Sequence, residues 1–297
     1  MKQKIVKFIL TAFVLLVLTN AILNQMVFVT RVTAVSADLP AAFAGYEIAQ
    51  LSDVHSIRSQ RQADRIVEKV EGLAPNLIVL TGDLVDSGYY SRTYGTDGER
   101  LTLGLLARLT AIAPVYYVYG NHELVLLDDP VYNCFRMDVE ALGVTLLNNE
   151  TETIRRGGAS ISIAGIQDPA TLYKDLTYAG LSGSQEKTQA MLDNVVNGLR
   201  AEDFVLLLAH RPEYFNLYVE SKADVILSGH AHGGQVRIPV AGGLYAPGQG
   251  AFPTYDAGLY QADGTSMIVS RGLGQIAQLP RLLNNPEIVC LTLRTTN

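Results

Sequence analysis

The chain has 297 residues, 48% hydrophobic and 18% charged, with 26 Gly, 11 Pro and a net charge of −6. That balance excludes a disordered chain and a collagen-like repeat, and two cysteines, Cys134 and Cys290, make at most one bridge and no disulfide framework. Residues 1–37 hold Lys2, Lys4, Lys7 and Arg31 and no acid, which leaves the rest with 19 basic against 29 acidic side chains and without the basic footprint of a general nucleic-acid binder.

The first predicted element is a membrane span. Phe8 to Thr30 are 23 residues without a charged side chain. As a helix they reach roughly 34 Å, enough for a hydrocarbon core of about 30 Å. Asn20, Asn24 and Gln25 dilute the second half. Val35-Ser36-Ala37 has the small residues of a signal-peptidase site but lies far beyond Leu18, which favours an uncleaved anchor over a cleaved signal. Three lysines before the span against one arginine after it predict a single-pass protein of the cell membrane, its N-terminus cytoplasmic and the domain that follows outside. The expected organisation is an anchor and short linker over 1–37 and one domain over 38–297.

That domain alternates short apolar runs with amphipathic stretches. Predicted strands are Glu47–Leu51, Leu77–Thr81, Val115–Tyr119, Val144–Leu147, Ile161–Ile166, Phe204–Ala209 and Val225–Ser228. Several are apolar throughout, as strands buried on both faces are. Between them Ile66, Val70 and Leu73 share one helix face, Leu101, Leu105, Leu109 and Ile112 a second, and Leu192, Val195, Val196 and Leu199 a third. The order βαβαβ predicts a layered α/β fold. After Gly234 the chain turns to Gly, Pro and Tyr with strand-like Gln235–Val240, Met267–Ser270 and Ile288–Leu293, which predict an antiparallel finish.

The chemistry-bearing residues gather just after the predicted strands, where α/β sheets bind ligands. Asp53-Val54-His55 follows the first strand, Gly82-Asp83 with Asp86 the second, and Gly120-Asn121-His122-Glu123 the third. His210 follows Phe204–Ala209, and Gly229-His230-Ala231-His232 follows Val225–Ser228. Alone, Asp-x-His is a common turn and His210 a common core histidine. Two imidazoles two residues apart between glycines suit metal ligation from a turn. The whole set offers nitrogen and oxygen donors without thiolate, enough for two ions, and suits manganese, iron or zinc better than calcium or copper(I).

These blocks, in this order, resemble the calcineurin-like metallophosphoesterase superfamily. The tail, with Gly233-Gly234-Gln235-Val236-Arg237-Ile238-Pro239 and Ser270-Arg271-Gly272-Leu273-Gly274, is more narrowly similar to the membrane-associated bacterial YaeI/YkuE-type phosphodiesterases. The resemblance implies a four-layer α-β-β-α sandwich and two divalent ions, manganese first, with zinc or iron as alternatives. It implies Asp53, His55 and His232 as ligands of one ion, Asn121, His210 and His230 of the other, and Asp83 between them. His122 is then a catalytic group beside the metals, oriented by Asp86. The implied reaction is phosphoester hydrolysis by a hydroxide shared between the metals, on phosphodiesters of membrane lipid or envelope polymer. Hydrolysis of a UDP-diacylglucosamine-type pyrophosphate is the alternative, and a catalytically silent scaffold a remoter one. Arg58 and Arg61 are candidates to meet a phosphate or an acidic headgroup, and Leu279, Leu282 and Leu283 to meet lipid.

Overall fold

The computed structural model describes residues 2–87, 96–169, 181–200, 202–274 and 281–296. Helix α1 (Lys2–Leu23) is long and apolar enough to cross a membrane, and no part of its apolar stretch is buried against the rest of the chain. The apolar run therefore does not continue as helix to Thr30. Asn20 and Asn24 end it by donating side-chain N–H groups to the Arg281 carbonyl, 2.7 and 2.8 Å away. From Phe28 the chain reads as alternating β-branched residues and forms β1 (Phe28–Ser36), which the sequence had assigned to the span and linker. The folded unit thus begins at about residue 28, ten residues before the expected boundary.

After β1 come β2 (Glu47–Leu51), α2 (Gln60–Leu73), β3 (Leu77–Thr81), α3 (Asp97–Thr110) and β4 (Val115–Val118). They are followed by α4 (Asn121–Leu126), α5 (Pro130–Ala141), β5 (Val144–Leu146), β6 (Glu150–Arg156) and β7 (Ala159–Ile166). Then come α6 (Leu181–Val196), β8 (Val205–Ala209), α7 (Phe215–Glu220) and β9 (Val225–Ser228). The chain closes with β10 (Gly258–Ala262), β11 (Thr265–Val269) and β12 (Glu287–Thr295). One six-stranded sheet has the order β1-β12-β2-β3-β4-β5, the other β10-β11-β9-β8-β7-β6.

Three apolar clusters separate the layers. The first packs Ile66, Val67 and Val70 of α2 and Leu105, Leu106 and Leu109 of α3 on Ile78, Leu80 and Val115 of the first sheet. The second lies between the sheets, with Ile48, Val79 and Leu291 facing Ile163, Leu206, Leu227 and Ile268. The third packs Leu192, Phe215 and Tyr218 of α6 and α7 on Leu207, Ile226 and Met267 of the second sheet. Four layers, α-β-β-α, follow. β3, β8 and β9 are buried along their whole length because each has apolar neighbours on both faces.

The antiparallel finish is only partly present. β10 and β11 form a hairpin through Asp263 and Gly264, both at positive φ, as a two-residue turn of matching twist requires. β11 however runs parallel to β9, and β12 is antiparallel to β2 but parallel to β1. Of Gln235–Val240, Arg237–Ile238 pairs with Gly242–Gly243, and Val236 makes an isolated parallel bridge to Leu282. Cys134 is exposed, Cys290 is buried in β12, and both are free.

β1 matters to the sheet because it covers β12 along all nine residues, from Phe28 opposite Glu287 to Ser36 opposite Thr295. A chain starting at residue 38 should therefore melt at least ~5 °C below one starting at residue 26, a difference that thermal denaturation will measure. Equal melting temperatures would show β1 to be dispensable.

Candidate metal centre

Both sheets deliver side chains to one place. Asp53 and His55 follow β2, Asp83 follows β3, and Asn121 and His122 open α4 after β4. From the second sheet His210 follows β8, and His230 and His232 follow β9. The site therefore lies across the sandwich, at the carboxyl ends of five strands.

The loops that carry these residues are strained. Asp53, His55, Asp83, His230 and His232 all have φ between 49° and 62°, a left-handed conformation unusual for residues with a side chain. Hydrogen bonds over-determine it. Asp53 N–H donates to the Gly82 carbonyl, His55 N–H to Asp83 and Ser56 N–H to Leu84, at 3.0, 3.0 and 2.9 Å. Two close approaches need glycine. A Cβ at Gly120 would collide with the Asp83 carboxylate, and one at Gly229 with Ser52 and Asp53.

Asp83 sits at the centre. Its Oδ1 accepts the His122 N–H at 2.9 Å. Its Oδ2 lies 3.3 Å from His210 Nε2, 3.9 Å from His55 Nε2 and 4.0 Å from His122 Nε2. Asp53 accepts the His230 N–H with both oxygens and stands 3.2 Å from His232 Nε2. Two overlapping groups result. Donor atoms of Asp53, His55, Asp83 and His232 lie within 4.8 Å of one another, as do those of Asp83, His210 and His230. All six residues are buried, and Asp83 is common to both groups.

The donors fit divalent ions. Asn121 Oδ1 and His230 Nε2 are buried and make no hydrogen bond among the described residues. Buried polar atoms ordinarily find partners, so these two orphans point to a ligand outside the chain. His55 Nε2 and His232 Nε2 face each other at 3.1 Å, a distance at which two lone pairs repel unless a cation or proton lies between them.

Burial and the neighbouring charges set the protonation states. Burial pushes His55 down to about 4 and holds His230 and His232 well below the usual range, so these three imidazoles are neutral and ready to ligate. Burial also opposes a charge on His210, but the Asp83 carboxylate outweighs it and raises His210 to about 10. Asp83 in turn lies well below the usual range: burial pushes it up, and the His210 and His122 charges more than reverse this. Burial lifts Asp53 to about 6.

His122 differs from the other histidines. Its side chain is 16% exposed, where those of His55, His210 and His232 are at 0–2%. Its Nδ1 accepts the Ser87 N–H at 3.0 Å, which assigns the ring proton of the neutral form to Nε2. Ser87 bonds this nitrogen through its N–H and hydroxyl, and Asp86 stands 3.7 Å from the same nitrogen and 3.7 Å from Arg58.

Glu123 is a positioning residue that the sequence motif contained without revealing its task. It is fully buried. Its carboxylate accepts the N–H groups of Asp83, Gly120 and Val85 at 2.9, 2.8 and 3.0 Å, tying α4 to the loop that carries Asp83. Glutamate three residues after a glycine at a helix start is the signal that points to such a cap.

Residues 46–234 match the calcineurin-like phosphoesterase family. The chain belongs to that family. The match runs from just before β2 through His232 and so contains every residue of the centre. An uncharacterized metallophosphoesterase of Bacillus subtilis, YkuE, is 30% identical over 92% of this chain and 87% of its own length. A bovine transmembrane protein with a metallophosphoesterase domain is 30% identical over 90% of this chain and 57% of its own. The phosphodiesterase YaeI of Escherichia coli is 27% identical over 84% of this chain and 83% of its own. This metallophosphoesterase is accordingly a hydrolase of phosphoric esters, with a His/Asp cluster able to bind metal.

Because His210 holds a proton at pH 7 that a metal must displace, loading the metal-free protein should release about one proton per chain. The affinity should then fall roughly tenfold per unit as pH drops from 8 to 7. Titration calorimetry in two buffers of different ionisation enthalpy measures the release, and equal heats would contradict it.

Proposed function

We propose that this protein is a membrane-tethered, two-metal phosphodiesterase that acts outside the cytoplasm on phosphodiesters of membrane lipids or envelope polymers. The observation that carries the reading is Asp83, whose carboxylate is common to two buried donor groups. Asp53, His55 and His232 with Asp83 would hold one ion, and Asn121, His210 and His230 with Asp83 the other. Manganese suits this nitrogen and oxygen set, as do zinc and iron. When bound, such a pair supplies Lewis acidity at the phosphoryl oxygens and a water of lowered pKa as nucleophile.

The chain's own residues supply the proton. His122 turns its protonated Nε2 toward the Asp83 side while Ser87 holds Nδ1, so the ring delivers a proton in one direction only. Its partial exposure suits a group that protonates a departing alkoxide. The relative named as a phosphodiesterase supports diesters over monoesters. An intact ligand set argues against a silent scaffold.

Full-length protein stripped of metal and reloaded with manganese should cleave bis-p-nitrophenyl phosphate. Asp83→Asn should bind fewer than two metal ions and lose measurable cleavage. His122→Ala should keep its metal and lose at least ~100-fold in turnover. Metal loss in His122→Ala would place that residue among the ligands, and two bound metals without cleavage would favour the pyrophosphate reading.

Topology has its own test, because Cys134 is exposed and Cys290 buried. A membrane-impermeant maleimide should label Cys134 in intact cells, and Cys134→Ser should abolish the labelling. Labelling only after lysis would put the domain in the cytoplasm.

A further inference from the structure

A cavity of about 460 Å³ lies where the end of α1 meets the catalytic domain. Four arginines line it, Arg58, Arg61, Arg65 and Arg281, and among the described residues no carboxylate does. That concentration is unexpected in a domain whose acids outnumber its bases. Val54 and Ser56 form part of its wall, so the loop carrying Asp53 and His55 separates it from the metal centre.

Arg281 forms its inner end. The residue is 1% exposed. Its Nε donates to the Gly274 carbonyl at 2.8 Å, but Nη1 and Nη2 make no hydrogen bond among the described residues. A buried guanidinium with its two terminal nitrogens unsatisfied is strongly disfavoured unless an anion completes it. Its carboxylate neighbours are committed elsewhere: Asp53 accepts the His230 N–H, and Glu287 pairs with Arg271 at 2.5 Å. Nearer the mouth, Arg65 donates to the Gln25 carbonyl and Arg58 pairs with Asp86.

Met26, Val27, Ile66 and Leu273 form an apolar wall beside the polar Asn24, Gln25, Ser59 and Gln62. Its level along α1 is set by Asn20 and Asn24, which bond the Arg281 carbonyl, and by Asn20 Oδ1, which accepts the Leu283 N–H at 2.9 Å. The exposed apolar side chains of α1 run from Ile5 to Ile22 and so reach this level at the end of the helix, and Leu283 is exposed beside it. The opening therefore lies where α1 leaves the hydrocarbon, at headgroup depth.

We propose that this cavity binds the phosphate headgroup of an anionic membrane lipid, with Arg281 as the inner ligand, Arg61 and Arg65 at the mouth, and the apolar wall against the glycerol and upper acyl chains. The proposal rests on α1 as a membrane span and not on the hydrolytic reading. It makes the anchor more than a tether, since the lipid headgroup touches the loop that positions Asp53 and His55.

Native mass spectrometry of the full-length chain in a neutral maltoside detergent tests this, with phosphatidylglycerol, phosphatidylcholine or inorganic phosphate as probe. One phosphatidylglycerol should bind at least tenfold more tightly than phosphatidylcholine. Arg281→Gln should weaken it about tenfold, and Arg61→Gln with Arg65→Gln should weaken it severalfold. Asp83→Asn should bind it as the unaltered chain does, which separates the cavity from the metal centre and this proposal from the hydrolytic one. If Arg281→Gln fails to fold, the double variant decides. Equal uptake of the two lipids, displacement by equimolar phosphate, loss of binding in Asp83→Asn, or no effect of the arginine variants would overturn the assignment.

Discussion

A carboxylate buried between two sheets cannot stay ionised without compensation, and Asp83 is compensated from every side. One oxygen takes the His122 N–H, the other faces three imidazoles, and the residue's own N–H is held by Glu123. The surrounding structure answers to that need. Gly120 is free of a side chain because Asp83 occupies the space, and β8 places His210 directly against the free oxygen. The left-handed turns at Asp53, His55, Asp83, His230 and His232 bring the donors of both sheets to one point. In this arrangement Asp83 and His210 form the opposed pair of charges at the centre of the site.

The anchor and the catalytic domain are not joined by a loose linker. Four residues separate α1 from β1, and β1 enters the sheet beside β12. Side-chain bonds from Asn20 and Asn24 to Arg281, and from Leu283 back to Asn20, fix the helix end against the same segment that contributes the buried guanidinium. The orientation of the metal centre relative to α1 is therefore set by strand pairing and hydrogen bonding.

Much of the fold was legible in residue patterns. The apolar runs ending at Leu51, Thr81, Ala209 and Ser228 are the strands that both sheets bury, and uniform burial is what an uninterrupted apolar run encodes. β6 was not legible, because an edge strand of mostly exposed polar residues carries no apolar alternation to read. α4 was not either, since six residues give too little of a helical period, and a buried glutamate rather than an apolar stripe fixes it. β1 was hidden inside an apolar run that a helix explains equally well until its partner β12 is in view. Arg58 and Arg61 were noticed as candidates for an acidic group. Arg281 was not, because nothing in its local sequence shows that it is buried.

The sequence by itself determined which residues can hold metal, in what order they occur, and that each stands at the end of a strand. It also determined that an apolar helix precedes them. These follow from residue type and spacing, which are local. Only the tertiary structure decided that Asp83 is common to two donor groups, that Ser87 bonds His122 Nδ1, and that four arginines converge at the end of α1. Those facts depend on which strands become neighbours and which buried atoms are left without partners, and pairing across dozens to hundreds of residues is written in no single segment of the chain.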